Sequence, residues 1–183
     1  MDKKSARNLA KERVKSLSDA EKLIKSAKIA SDFTDYFVSR GFKSIFIYKS
    51  VKNEVSTESV IEALLKRGIK VFVPKTSGDD MFVAEINDNT EYLPNAFGIP
   101  EPVSAATEFY GADVNVVPLV AFDEKLNRLG HGKGYYDRYL ARATGKICAF
   151  AFGCQNTGAL ETETHDVKMH LIFTENGVLG EER

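Results

Sequence analysis

The sequence predicts a single three-layer α/β/α domain built around a largely parallel sheet. Its 183 residues fall within the roughly 100–200 residues typical of one domain. Short, continuously apolar runs of strand length alternate with longer segments of helical periodicity, as expected when parallel strands are buried on both faces. No repeat, low-complexity segment or linker divides the chain.

Three helices are predicted in the first 66 residues. Residues 3–16 carry an apolar face and a basic face at helical spacing. A second helix begins at the capping-box pattern Ser18-Asp19-Ala20-Glu21 and runs to about Arg40, where Gly41 stops it. Residues 57–66 form the third. The inward face of the second helix is expected to hold Leu23, Ala27, Ala30 and Phe37.

The remaining elements are mostly buried strands. Apolar runs predict strands at 44–48, 69–73, 81–86, 114–122, 147–152 and 171–174. Pro74 is expected to close the second strand, and residues 87–112 to form a loop-rich region. A last helix is predicted at 135–143, and the tail from about residue 175 is expected to fray.

Composition excludes several functional classes. The formal net charge of −1 argues against electrostatic capture of nucleic acid or an anionic membrane. No apolar run approaches the roughly 20 residues that span a bilayer, and no secretory signal is visible at the N-terminus. Cys148 and Cys154 lack metal-site spacing and indicate buried thiols in a reducing cytoplasm. We expect a cytoplasmic monomer.

The segment Gly130-His131-Gly132-Lys133-Gly134-Tyr135-Tyr136-Asp137 carries the main functional signal. Alternate glycines let several backbone N–H groups approach a ligand, and a helix beginning directly afterwards adds its free amides. The pattern therefore predicts a phosphate-binding loop at the carboxyl end of a strand, where ligands bind in such sheets. A simple turn is the alternative interpretation.

The free energy of binding that a nucleotide needs is larger than a glycine loop and a helix end supply, so fixed charges must contribute. A helix end contributes about 0.3–1 kcal/mol toward an anion, whereas micromolar affinity needs about 8 kcal/mol. Lys133 and Arg128 can supply positive charge, and Asp137 beside a phosphate indicates an intervening Mg²⁺. Asp137 could instead be an ordinary first-turn helix residue. Tyr135 and Tyr136 offer ring faces to a ligand, although at least one of them could pack on the sheet.

These residues, with their neighbours, resemble a known family. The block Val117-Pro118 to Arg138, and within it Asn127-Arg128-Leu129-Gly130-His131-Gly132-Lys133-Gly134-Tyr135-Tyr136-Asp137, is similar to the signature of 5-formyltetrahydrofolate cyclo-ligases. Supporting matches follow in order along nearly the whole chain: Lys3 and Arg7, Tyr48 to Glu54, Val73-Pro74-Lys75, Gly98-Ile99-Pro100-Glu101-Pro102 and His165-Asp166.

The resemblance implies an ATP-dependent ring closure. ATP would phosphorylate the formyl oxygen of 5-formyltetrahydrofolate, and N10 would then displace phosphate to give 5,10-methenyltetrahydrofolate. Such chemistry needs positioning and charge neutralisation but no protein nucleophile.

The resemblance also implies which residues bind each ligand. ATP would contact Lys3, Arg7, Arg128, Leu129, Gly130, His131, Gly132, Lys133, Gly134, Tyr135 and Tyr136. The folate would contact Lys49, Glu54, His131, Gly132, Lys133, Gly134 and Tyr135. Asp137 and Asp166 would hold Mg²⁺, and the catalytic residues would be Lys133 and Arg128. Without the resemblance, Lys3 and Arg7 could be a solvated helix face, Glu54 a loop charge, and His165-Asp166 a helix cap.

Two positions depart from the family pattern. Leu119 and Leu126 stand where glycine is common, which puts the path of the loop in question. A non-catalytic paralogue that binds nucleotide or folate is therefore a second hypothesis. A sugar-phosphate isomerase-like enzyme on a similar scaffold is a third, because scaffold alone does not fix function.

Overall fold

The computed structural model describes residues 1–78, 80–95 and 98–180, which form four α-helices and eleven strands. The helices are α1 (Lys3–Ser16), α2 (Asp19–Ser39), α3 (Glu58–Leu65) and α4 (Tyr135–Leu140). The strands are β1 (Ser44–Ile47), β2 (Lys70–Ser77), β3 (Asp80–Ile86), β4 (Tyr92–Pro94), β5 (Pro100–Pro102), β6 (Val114–Val117), β7 (Ala121–Phe122), β8 (Arg128–Leu129), β9 (Lys146–Phe150), β10 (Leu171–Thr174) and β11 (Gly177–Leu179).

Seven strands make the central sheet, in the order β11-β10-β9-β6-β1-β2-β3. The five inner strands run parallel to one another, while β3 and β11 pair antiparallel at the two edges. The prediction of an α/β fold with a largely parallel sheet is confirmed. β4 pairs with β5, and β7 pairs with β8, as separate two-stranded ribbons.

Helices cover both faces of this sheet. Apolar residues of α2 and α3 pack on one face, and Tyr139 and Leu140 of α4 pack on the other. Phe33 anchors α2 by edge-on contacts with Phe150 and Phe173, at centroid distances of 4.9 and 5.2 Å. The predicted inward face of α2 was partly wrong. Leu23 is 70% exposed and Ala27 is also exposed, because the Phe33 anchor turns a different stripe inward: Ser26, Ile29, Ala30, Phe33 and Phe37.

Several boundaries differ from the sequence predictions. The run 114–122 is two strands, since the chain leaves the sheet at Pro118, which has no amide hydrogen to donate. β2 continues through Pro74, whose register partner is Val83 of β3, because the pairing of β2 with β1 has already ended at Phe72. The last predicted helix ends at Leu140 rather than residue 143.

The expected fraying of the tail was also wrong up to residue 180. Gly177–Leu179 pairs with β10, and the Thr174 hydroxyl donates a hydrogen bond to the Gly177 carbonyl at 2.9 Å. Residues 181–183 lie outside the described part. Within the described residues, none of the helices combines the length and apolar character needed to cross a bilayer.

Candidate active site

The candidate site lies where three neighbouring parallel strands end. The chain leaves β1, β6 and β9 at the same edge of the sheet, and the segments that follow contribute Glu54, Leu119 and Gln155 to a cavity of about 160 Å³. The N-terminal helix and His131 of the glycine loop complete its lining. A cavity thus lies at the carboxyl ends of the strands, where the sequence predicted a binding site.

Small residues bring helix α1 close to the β7–β8 ribbon, which directly precedes the glycine loop. Ala6 and Ala10 are fully buried against Val120, Ala121 and Leu129. This close packing lets the Arg7 Nε donate a 2.9 Å hydrogen bond to the Gly130 carbonyl oxygen. The structure therefore brings Arg7 to the glycine loop from a point 123 residues earlier in the chain.

Each of the three glycines in the loop faces an arginine guanidinium group. A Cβ added at Gly130 would lie 3.1 Å from Nη1 of Arg128, one at Gly132 would lie 3.3 Å from Nη2 of Arg7, and one at Gly134 would lie 2.9 Å from Nη1 of Arg138. Gly132 and Gly134 also adopt φ of +100° and +69°, which side chains disfavour. The alternate glycines therefore provide both the turn and the space for three cations.

Arg128 lies beneath the loop rather than on its open side. Its side chain is only 2% exposed. Nη1 donates to the Pro118 carbonyl oxygen at 3.1 Å, and Nη2 donates to the Asp137 carboxylate at 2.8 Å. The Tyr136 ring lies 5.9 Å from the guanidinium carbon. These contacts join the end of β6, the loop and helix α4.

A buried carboxylate holds the turn that precedes Arg128. Asp123 accepts hydrogen bonds from the amides of Lys125, Asn127 and Leu160 and from the side chain of Asn127, at 2.8–3.1 Å. Burial alone would raise the pKa of Asp123, but the hydrogen bond from the Asn127 side chain and the three amide bonds outweigh it and lower that pKa. Sequence patterns gave no indication of this role.

Leu126, which stands where glycine is common in the resembling family, adopts a backbone conformation that favours glycine. Its φ is +65°, in the left-handed region. Its amide donates to the Asp123 carbonyl oxygen, and its own carbonyl accepts from Met169. The side chain packs against the core on the α4 face. The departure therefore leaves the turn in place at the cost of local strain.

Lys3 pairs with the segment that carries Asp166. The Lys3 Nζ lies 2.8 Å from the Asp166 Oδ2 and 3.3 Å from the Glu163 Oε2. Burial would raise the pKa of Asp166, but the hydrogen bonds from Lys3 and from the Glu163 amide outweigh it and lower that pKa. Glu163, His165 and Asp166 offer ligand atoms within 4.8 Å of one another. Within the residues that the structure describes, Asp137 belongs to no such group.

Glu54 meets the glycine loop at His131. Its Oε1 lies 3.6 Å from Nε2 of His131, and its Oε2 accepts the Val51 amide at 2.9 Å. The carboxylate is 13% exposed, so it lies mostly within the site. Burial raises the pKa of Tyr136 well above its usual value, and the neighbouring Glu54 charge adds to that rise. Tyr136 packs against the core clusters on both faces of the sheet, as expected for at least one of the two tyrosines.

Two other predicted site residues contact neighbouring elements, namely the β2–β3 turn, α3 and β4. The Tyr135 hydroxyl donates a 2.8 Å hydrogen bond to the Gly78 carbonyl oxygen in the β2–β3 turn. Lys49 lies 3.1 Å from the Glu58 carboxylate and 4.9 Å from the centre of the Tyr92 ring. Lys133 is exposed at the tip of the loop, and Leu129 faces α1, so only its backbone can face a ligand.

The structure brings some of the predicted residues together in pairs: Arg7 with Gly130, Glu54 with His131, Arg128 with Asp137, and Lys3 with Asp166. Lys49 and Tyr135 instead contact residues outside the predicted set. Sequence reasoning missed Asp123 and Gln155. Gln155 Nε2 donates to the carbonyls of Leu119 and Val120, while its Oε1 accepts the Phe152 amide. Asp123 lies within the block that resembles the family signature, but its residue pattern assigned it no role, and an isolated buried amide such as Gln155 has no sequence signature.

A mostly parallel α/β sheet with a glycine loop and three arginines at its carboxyl edge is typical of α/β domains that bind anionic ligands. Comparison with known proteins narrows this class. The profile of the 5-formyltetrahydrofolate cyclo-ligase family matches residues 1–175, and the chain belongs to that family.

Individual relatives agree with this assignment. The 5-formyltetrahydrofolate cyclo-ligase of Haemophilus influenzae is 36% identical over 144 residues, covering 73% of this chain and 76% of that protein. The mouse enzyme of the same name is 29% identical, covering 95% of this chain and 94% of that one. The 5,10-methenyltetrahydrofolate synthetase structure from Aquifex aeolicus superposes with a TM-score of 0.86 at 29% identity, covering 99% of this chain and 94% of that one.

Proposed function

We propose that this chain converts 5-formyltetrahydrofolate to 5,10-methenyltetrahydrofolate with consumption of ATP and release of ADP and phosphate. The family assignment supports this activity over nearly the whole length of the chain. The observation that carries the proposal is the convergence of Arg7, Arg128 and Arg138 on the three glycines of one loop, with Glu54 beside His131 of the same loop.

The nucleotide would lie along the glycine loop. Lys133 is suited to contact the transferred phosphoryl group, because it is an exposed cation on the glycine loop two residues after His131. Arg7 and Lys3 would approach the phosphates from α1. Arg128 was predicted to touch the nucleotide, and that remains a prediction. Its contacts with Pro118 and Asp137 support a positioning role for the loop.

The folate would enter from the Glu54 side. Glu54 can accept hydrogen bonds from N–H groups of a pterin ring, while His131 and Tyr135 offer ring faces beside it. Phosphorylation converts the formyl oxygen into a good leaving group. Attack by N10 on the same carbon forms the new C–N bond, N10 loses its proton, and the C–O bond breaks as phosphate departs.

Mg²⁺ is the proposed cofactor. In phosphoryl-transfer sites Mg²⁺ is bound through one or two carboxylates together with substrate phosphates. Asp166 fits this description, since it lies within a group of possible oxygen and nitrogen ligands. Asp137 offers a second carboxylate at the end of the loop, although here it pairs with Arg128. The ion would supply charge neutralisation for the phosphates.

A spectrophotometric assay tests the activity. Protein, MgATP and 5-formyltetrahydrofolate should yield the methenyl chromophore, with one ADP formed per product. Lys133→Ala should lower turnover by at least a hundredfold, whereas Lys66→Ala, an exposed lysine after α3, should have no effect. Product formation without ATP, or equal rates for the two variants, would contradict the proposal.

The non-catalytic paralogue is not favoured. Leu126 retains the turn conformation, and the charged groups of the loop are in place. Leu119 packs in the core on the α4 face of the sheet. The hydrogen bond from Arg128 to the adjacent Pro118 carbonyl oxygen is also in place. Tight ATP binding without turnover would revive that hypothesis.

We further propose a cytoplasmic, monomeric protein with small-molecule partners. Both cysteines are free thiols in the structure, which suits a reducing compartment. A single sedimenting species at monomer mass would support the second point.

A further inference from the structure

Gln155 is a buried amide at the carboxyl edge of the sheet to which the proposed chemistry assigns no role. It ends the short 3₁₀ helix Gly153–Gln155 that follows β9, and it is 4% exposed. Its side chain lines the same cavity as Glu54 and His131. A buried polar side chain in such a place either contacts the ligand or holds the groups that do, and its hydrogen bonds distinguish the two roles.

The hydrogen-bond donors of the Gln155 amide are all used inside the protein. Nε2 donates to the carbonyl oxygens of Leu119 and Val120, at 3.1 and 2.9 Å, and a side-chain amide has only two hydrogens to donate. Oε1 accepts the backbone amide of Phe152 at 2.8 Å. Gln155 therefore has no donor left for a ligand, and its bonds fix the segment that follows β6.

This segment, residues 118–120, has three successive carbonyls that side chains bind. Arg128 Nη1 donates to the first, at 3.1 Å, and Gln155 donates to the next two. The Val120 amide in turn donates to the carbonyl of the last residue of β8, 2.7 Å away. From the β9 side, Gln155 thus holds the segment that anchors both Arg128 and the residue before the glycine loop.

Arg128 depends on this segment because it has few other anchors. Its Nη2 donates to Asp137, and its buried Nε has no hydrogen-bond partner within residues 1–78, 80–95 and 98–180. The Pro118 carbonyl is therefore one of two acceptors that fix the plane of the guanidinium group. Because a Cβ added at Gly130 would lie 3.1 Å from Nη1 of Arg128, a displaced guanidinium group would also displace the loop.

We infer that Gln155 is a positioning residue for the nucleotide site. It fixes residues 118–120, and through them Arg128 and the glycine loop, without a donor of its own for either substrate. The inference rests on the proposed function for the identity of the ligand. The positioning itself is a property of the free protein.

Removing the Gln155 amide should loosen the loop and weaken the use of ATP. In Gln155→Met, which keeps the length of the side chain, two carbonyls and one amide lose their buried partner. Because a displacement of about 1 Å can lower a rate about a hundredfold, kcat/KM for ATP should fall at least about tenfold. The KM for the folate should change by less than about twofold, because the Val51 amide holds Glu54 independently of Gln155.

Hydrogen exchange followed by mass spectrometry tests the positioning in the free protein. Amides of residues 130–134 should exchange at least about fivefold faster in Gln155→Met than in the wild type. Asp113→Ala is the matched control, because the Asp113 carboxylate accepts the amides of Lys43 and Ser44 at the opposite edge of the sheet. It also removes hydrogen bonds between segments, but exchange in the loop should stay at the wild-type rate.

Steady-state kinetics of the same proteins tests the consequence for ATP. A fall in kcat/KM for ATP in Gln155→Met, with little change in the KM for 5-formyltetrahydrofolate and none in Asp113→Ala, supports the inference. Unchanged loop exchange in Gln155→Met, or equal effects of the two variants on the loop and on ATP, would overturn it and leave Gln155 with a role in stability alone.

A second variant covers failure of Gln155→Met to fold. Gln155→Glu keeps the acceptor for the Phe152 amide, but its carboxylate donates nothing to the carbonyls of Leu119 and Val120. Loop exchange should rise in this variant too, and wild-type exchange would contradict the inference. If the wild-type protein shows no turnover, the proposed activity fails, while the exchange comparison still reports whether Gln155 holds the loop.

Discussion

Replacing Asp123 by asparagine should destabilise the fold strongly, although this residue lies outside the predicted ligand contacts. The carboxylate is 2% exposed and accepts four hydrogen bonds. Asparagine keeps one oxygen and places an NH₂ group against two of the donors. Hydrogen bonds to charged groups contribute about 1.5–3 kcal/mol each, so losing two costs about 3–6 kcal/mol.

Thermal and urea unfolding measure this loss. For a chain of this size each kcal/mol lowers Tm by about 2–4 °C, so Asp123→Asn should lower it by roughly 6–24 °C. Glu124→Gln is the matched control, since Glu124 is the adjacent exposed acid, and it should change Tm by less than 2 °C. A loss below 1 kcal/mol for Asp123→Asn would refute the view that this carboxylate holds the turn.

The pH dependence gives an independent check on Asp123. Its folded pKa is lowered, chiefly by the Asn127 hydrogen bond acting against burial. A lowered carboxyl pKa contributes stability above the unfolded value of 3.8, and that contribution is lost as pH falls through the folded value. The gap in Tm between wild type and Asp123→Asn should therefore narrow between pH 5 and pH 2. A constant gap would contradict the assignment.

Three further predictions follow from the site. Gly132→Ala should raise the KM for ATP at least fivefold, because the new Cβ would lie 3.3 Å from Arg7 Nη2 and the left-handed backbone there disfavours a side chain. An unchanged KM would show that the contact between Arg7 and Gly132 does not contribute to ATP binding. Leu126→Gly should alter the free energy of unfolding by only about 1 kcal/mol, since relief of left-handed backbone strain offsets the lost packing. The control Leu129→Gly should lower that free energy by more than about 3 kcal/mol. Equal losses in urea unfolding would show that the backbone of Leu126 is not strained. Burial would raise the pKa of Asp166, but the hydrogen bond from Lys3 lowers it, so the ion pair stabilises the fold above pH 3.8 and that stabilisation is lost as the pH falls further. Asp166→Asn should therefore lower Tm by about 3 °C at pH 7 and leave Tm unchanged at pH 2.

The sequence predicted the strand positions well because buried parallel strands are continuous apolar runs. The runs at Ser44 and Leu171 needed no tertiary information. The α2 face was harder to predict, because Leu23 and Ile29 are equally apolar and only the packing of Phe33 on Phe150 and Phe173 selects between them. The strands of short ribbons such as β7–β8 have only two residues each, too few to show the alternation of apolar and polar residues that marks a strand.

The glycine loop could be predicted as a site because its chemistry is contiguous in the sequence. The contacts that complete it are not contiguous. Arg7 reaches Gly130 across 123 residues, and Lys3 reaches Asp166 across 163. Helix α1 had a visible basic face, but only the burial of Ala6 and Ala10 shows which cations turn toward the loop. The family resemblance supplied that information before the geometry did.

Isotope transfer tests the central claim most directly. If ATP phosphorylates the formyl oxygen, that oxygen must leave with the phosphate when N10 closes the ring. With 5-formyltetrahydrofolate labelled by ¹⁸O at the formyl group, mass spectrometry should find one ¹⁸O atom in the inorganic phosphate for each methenyl product formed. Label recovered in water, with unlabelled phosphate, would contradict the account.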